Sequence, residues 1–86
     1  MIHQLKSWPD AFQAVWEGYK TFEWRYDDRR YKLGDILEMS EWLPDNQAFT
    51  GRYIRAEVTY LLRGRFGVPD GFVVMSIKVL QREVER

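Results

Sequence analysis

Between Glu17 and Arg25 the chain gathers Gly18, Lys20, Glu23 and Arg25 into one short run, and these side chains can do more than solvate a surface. Lys20 and Arg25 can hold a phosphate or a base carbonyl. Glu23 can accept from an exocyclic amine or a base N–H, and nearby Trp, Tyr or Arg planes can stack an unpaired base. A Lys20 and Glu23 pair also suits acid and base chemistry if burial lowers the lysine pKa. The same residues admit a structural reading. Arg25 can pair with Glu23 at i, i+2 on an exposed strand face, with Lys20 sitting where a helix C-terminus favours a cation.

Other chemistries are excluded by residue type. The 86 residues contain one His and no Cys, so multi-His metal centres, thiolate zinc sites, disulfides and Cys nucleophiles are absent. No Walker A run, dinucleotide glycine pattern or hydrolase triad is present. No metal or cofactor is expected. The catalytic assignment stays unknown, with Lys20 and Glu23 as the candidates if the chain is an enzyme. Candidate nucleotide- or RNA-binding residues are Lys6, Lys20, Glu23, Arg25 and Arg55. Lys6 and His3 lie on the first strand. Arg55 and Arg63 share the outward parity of a long strand, where they could extend a phosphate track or simply be solvated.

Charge is balanced, thirteen Lys and Arg against thirteen Asp and Glu, which argues against a strong global attraction for polyanions. The distribution is uneven. Arg52, Arg55, Arg63 and Arg65 face only Glu57 between residues 52 and 65, whereas Asp35, Glu38, Glu41 and Asp45 stand in a segment without bases. A local anion site therefore survives the neutral total. Apolar runs of at most three or four residues leave no membrane span or signal-peptide core, which suggests a soluble, cytoplasmic protein.

These side chains need a scaffold, and hydrophobic periodicity supplies one. His3 to Ser7 reads as a short strand with Leu5 inward. Phe12, Val15, Trp16 and Tyr19 form one helical stripe over about Pro9 to Glu17, with Ser7 and Pro9 as start signals and Gly18 as the stop. From Thr21 the period becomes two, placing Phe22, Trp24 and Tyr26 on one face and Glu23 and Arg25 on the other. Asp27 to Arg30 is a loop, and Leu33-Gly34-Asp35 a turn into a strand from Ile36 to Trp42 that Pro44-Asp45-Asn46 breaks.

After a loop closed by Thr50-Gly51, a long strand alternates Ile54, Ala56, Val58, Tyr60 and Leu62 against Tyr53, Arg55, Glu57, Thr59, Leu61 and Arg63. Gly64 to Gly71 is a loop. Phe72 to Leu80 is a last strand with Val73, Met75, Ile77 and Val79 on one face, and a polar tail follows from Gln81. Phe12, Trp16, Phe22, Trp24 and Tyr60 are expected in the core, and Trp8 and Trp42 at its edge or as stacking platforms. One domain spans residues 1–86. The order of one strand, one helix and four strands predicts an α+β fold, a small β-barrel capped by the helix, because closure removes exposed sheet edges.

The run Gly18, Lys20, Glu23, Arg25 resembles the Gly-x-Lys-x-x-Glu-x-Arg signature of ASCH domains in the PUA-like superfamily. Further segments, among them His3 to Pro9, Leu33 to Leu37, Val58 to Gly64 and Asp70 to Ser76, look like a short bacterial and phage ASCH-type family of unknown function. The resemblance spans nearly the whole chain. It implies a five- or six-stranded PUA-like barrel whose cleft beside the signature binds RNA or a modified nucleotide. Some ASCH relatives look like amidohydrolases of acetylated cytidine nucleosides that use a Lys, a Thr and a Glu, and others are ribonucleases. Lys20 matches that Lys, but Glu23 stands where the Thr would be, and the short Gly64 to Gly71 loop offers no counterpart for the later Glu. A third reading is a phage-related protein-interaction domain that uses the aromatic surface.

Overall fold

The computed structural model describes residues 1–85, and its elements follow from where the hydrophobic period is strong and where glycine or proline interrupts it. Strand β1 (Ile2–Ser7) buries His3, Leu5 and Ser7 on one face. Helix α1 (Pro9–Trp16) starts with proline in its first turn, where a missing N–H costs nothing. Ser7 is not its cap. Trp8 occupies that position in an extended conformation without a side-chain hydrogen bond, because Ser7 is still part of β1.

The helix stops one turn earlier than its stripe suggests. Gly18 adopts φ +86° and its N–H reaches the Val15 carbonyl at 3.1 Å, which closes the last turn. Phe12 and Val15 are buried and Trp16 packs against the core, but Tyr19 lies beyond the stop and is 84% exposed. The expected fourth member of the stripe is therefore a surface residue.

Strands β2 (Phe22–Tyr26), β3 (Ile36–Leu43), β4 (Ala48–Arg63) and β5 (Phe72–Val84) complete a five-stranded sheet in the order β1-β3-β4-β5-β2. β1 runs parallel to β3, and the other pairs are antiparallel. The sheet curls into a half-barrel, and the helix packs Phe12 and Val15 into its core. Its edge strands are β1 and β2, and guanidinium groups bridge them. Arg25 donates to the Lys6 carbonyl at 3.0 Å and Arg29 to the Gln4 carbonyl at 2.9 Å.

Two strands depart from their expected facing. In β2 the inward residue is Glu23, while Phe22, Trp24 and Tyr26 are exposed, so Phe22 and Trp24 are not core. Alternation defines two faces without saying which is inside, and here the carboxylate's cationic partners make its burial tolerable. In β4, Ile54, Ala56 and Val58 point inward as expected. Thr59 is then skipped in the pairing, Val58 facing Ile77 and Tyr60 facing Ser76. This bulge reverses the parity, so Leu61 packs on the core and Tyr60 turns outward.

The ends of the long strands also differ. β4 already begins at Ala48, bending at Gly51 (φ +95°), where a Cβ would meet the Glu85 carbonyl at 3.1 Å. β5 continues through Gln81 to Val84 because its backbone pairs with Arg52 to Arg55, so this stretch is strand although its side chains are polar. The core joins Leu5, Phe12 and Val15 to Leu37, Met39, Ile54, Val58, Val73 and Met75, with Tyr31 closing it from a loop.

A buried ion pair fastens the helix to the sheet. Glu41 accepts from Arg52 Nε and Nη2 at 2.9 and 3.0 Å and from Thr50 Oγ1 at 2.7 Å. The Arg52 guanidinium lies over the rings of Phe12 and Trp16, at 5.0 and 4.9 Å, and donates to Gln13 at 2.7 Å. Its hydrogen bonds hold the Glu41 carboxyl below the usual carboxylate range.

Candidate functional site

The early stop of α1 at Gly18 and the inward parity of β2 together bring Lys20 and Arg25 to either side of Glu23. Glu23 is 3% exposed. One of its oxygens takes a short contact from Lys20 Nζ, and the other accepts from Arg25 Nε at 3.0 Å. Lys20 also donates to the Phe22 carbonyl at 2.6 Å. Both carboxylate oxygens are thus committed, and Glu23 acts first as the anchor that holds two cations in place.

These three residues line a shallow cleft of about 330 Å³ whose other wall comes from Lys6 and Ser7 of β1, Trp8 and Ala11. Four of the five residues expected at the site, Lys6, Lys20, Glu23 and Arg25, therefore converge. Arg55 does not join them. It pairs with Glu38 at 2.8 Å on the outer face of β3 and β4. Among the described residues Lys6 has no carboxylate partner, and its ammonium stands 3.9 Å from the centre of the Trp42 ring. Trp8 is exposed at the cleft rim, where its ring offers a stacking plane.

Lys6 and Arg25 also border a second trough of about 600 Å³ on the outer face of β1, β3 and β4. Arg29, Arg52, Phe49 and Tyr53 contribute to it, opposed by Glu38 and Glu85. No spacing in the sequence marks Arg29 or Tyr53 for this trough. Arg29 stands in a polar loop, and only the tertiary approach of that loop to β1 brings it to the trough. Lys6 and Arg25 form the ridge between the two depressions.

A further buried polar group lies away from both. His3 Nε2 is 2.7 Å from Asp35 Oδ2, and Asp35 also accepts from the Lys32 N–H at 3.0 Å and the Met1 amino group at 3.3 Å. Burial pushes the Asp35 carboxyl up, but these donors outweigh it and hold it below its ordinary range. The His3 ring packs edge-on against buried Tyr31 at 4.8 Å, and burial raises the Tyr31 phenol. His3 is thus a structural residue of the core edge. Among the described residues no cluster of three or more His, Cys, Asp or Glu is placed to hold a metal ion. No helix of the described chain is long and apolar enough to cross a membrane.

Fold and site define a small, curled five-stranded half-barrel with one helix and a basic cleft at the helix-to-strand corner. Sequence comparison gives this class its family. The chain belongs to DUF3850, a domain of unknown function, whose family pattern matches residues 2–77. It is also similar to an uncharacterized 12.9 kDa protein in the GpA 3' region of Escherichia phage P2, with 41% identity over 58 residues. That match covers 67% of this chain and 51% of the phage protein, so the chain spans about half the length of that relative.

Proposed function

We propose that this domain is a PUA-like, ASCH-type module that binds RNA or a modified nucleotide in the cleft between α1 and the start of β2. The observation that carries the reading is the convergence of Lys20 and Arg25 on buried Glu23 in a cleft that Lys6 also lines. Glu23 holds the two neighbouring cations side by side, one on each carboxylate oxygen. Lys6 adds a positive charge that no described carboxylate neutralises. A phosphate entering here meets prepositioned N–H donors, and Trp8 supplies a plane for the attached base. The adjacent trough, reached across Lys6 and Arg25, gives a longer strand somewhere to continue.

The test is fluorescence anisotropy with short single-stranded RNAs, together with a panel of free and modified nucleosides. Lys6→Gln is the discriminating variant, because Lys6 is exposed and carries no structural ion pair. It is expected to weaken RNA binding about three- to tenfold, lower the salt slope by about 0.7 and leave the melting temperature unchanged. Lys20→Ala should weaken binding further. Wild-type protein that binds no RNA or nucleoside at any salt concentration would overturn the reading. Product formation that disappears in Glu23→Gln would replace it with an enzyme of the amidohydrolase or ribonuclease kind, because an amide cannot exchange the proton.

A further inference from the structure

We propose that the outer face formed by β2, β5 and the second half of β4 packs against the same face of a second copy of this chain. The face is built by the two facing reversals described above. β2 turns Phe22, Trp24 and Tyr26 outward at 46, 50 and 68% exposure, and the Thr59 bulge sends Tyr60 to the same side at 63%. The pairing register brings these side chains into adjacent rows. Trp24 lies beside Val74 and then Leu62, Phe22 beside Ser76 and then Tyr60, and Tyr26 beside Phe72. The Phe72 ring touches both aromatic neighbours of β2, with centroids 4.8 Å from Tyr26 and 6.2 Å from Trp24. No helix covers this patch, since α1 packs over the other side of the sheet.

Area and charge decide the occupant. A covered aromatic side chain buries about 150–250 Å², so four rings exposed by half to two-thirds contribute about 400–500 Å². With half-buried Leu62, Phe72 and Val74 the face reaches about 600 Å², the lower limit per partner for a specific interface. Charges at its border come in opposite pairs: Lys20 with Glu23, Arg63 with Asp27, and Lys78 beside Glu57 across the β4–β5 ladder. Away from the cleft cation Lys20, a polyanion meets a border whose charges are balanced among the described residues. A second copy finds a neutral, aromatic, self-complementary face, and the chain's zero net charge adds no repulsion. Phe22 and Trp24 also line the basic cleft, so a second copy on this face would border each cleft on its β2 side.

Sedimentation equilibrium of the whole chain from about 1 to 300 µM tests the proposal, and a reversible shift towards twice the chain mass is expected over that range. Trp24→Glu and Tyr60→Glu, on different strands, should each raise the dimer dissociation constant at least tenfold, with circular dichroism verifying the fold. Hydroxyl-radical footprinting of wild-type protein provides a readout without substitution, and Trp24, Tyr26 and Tyr60 should gain protection together as concentration rises. A single-chain mass throughout would overturn the proposal. So would a dimer that persists in both folded variants, or protection by a short RNA, on a single-chain species, of Tyr26 and Tyr60, which do not line the cleft. The nucleotide reading is tested separately through Lys6, which lies outside this face.

Discussion

At the scale of single residues, the cations of this domain divide by what they are paired with. Arg52 and Arg55 are three positions apart on β4 and each meets one glutamate, yet their surroundings differ. Glu41, the partner of Arg52, is 6% exposed and lies between helix and sheet, whereas the Arg55–Glu38 pair sits on the open outer face. Removing one member of a buried pair strands a desolvated charge, while an exposed pair contributes little because water and salt compete for both ions. Arg52→Ala is therefore expected to cost about 2–4 kcal/mol, the Arg52 side chain being partly solvated, and Arg55→Ala about 0–1 kcal/mol. Urea unfolding of the two variants side by side checks this, and equal losses would contradict the assignment. The two arginines were indistinguishable in the sequence because both stand in one run of basic residues. What separates them is Phe12 and Trp16 beneath the Arg52 guanidinium, a contact no spacing on β4 reveals.

At the scale of elements, the strands themselves were legible and their facing was not always so. Ile54, Ala56 and Val58 alternate without conflict, and each is buried. β2 alternates just as regularly, but its aromatic half is outside, because period two carries no sign. Burial of Glu23 depended on Lys20 arriving from the end of α1, and so on where the helix stopped. The bulge at Thr59 left no mark in the sequence, since Thr59, Tyr60 and Leu61 all suit a strand of either parity. The helix-to-strand corner was readable because Gly18 marks the stop and three charged residues follow it closely. The trough was not, being assembled from β1, β3, β4 and a loop. Gly51 offers a test of the β4 bend. An alanine there must hold φ near +95° and push against the Glu85 carbonyl, so Gly51→Ala should destabilise by about 1–3 kcal/mol. A thermal melt unchanged from wild type would show that the bend relaxes without strain.

For the molecule as a whole, two of the buried carboxylates, Asp35 and Glu41, add polar fastenings between elements that the hydrophobic core also joins. Asp35 links β1, through His3, to the turn before β3, and Glu41 links α1 to β3 and β4 through Arg52. The Arg52 hydrogen bonds lower the Glu41 carboxyl. At Asp35, burial acts upward, but His3, the Lys32 N–H and the Met1 amino group bring the net shift downward. In the unfolded chain both groups protonate near their ordinary values, about 3.9 for Asp and 4.3 for Glu. As pH falls through that range, the unfolded state takes up protons before the folded state does. The stabilisation from both groups is therefore present above about pH 4–5 and is lost as pH drops towards the lower folded-state values. Melting temperature measured from pH 6 to pH 2.5 should show a steep acid limb. Glu41→Gln should melt lower than wild type at pH 6 and lose less on acidification, so that the curves approach one another at low pH. Asp35→Asn should behave in the same sense, with β1 released first because its only strand partner among the described residues is β3 and its other edge is held by two arginine side chains. Hydrogen exchange at pH 3 would locate the opening, and earliest loss of protection in β4 and β5, with β1 still protected, would contradict this order.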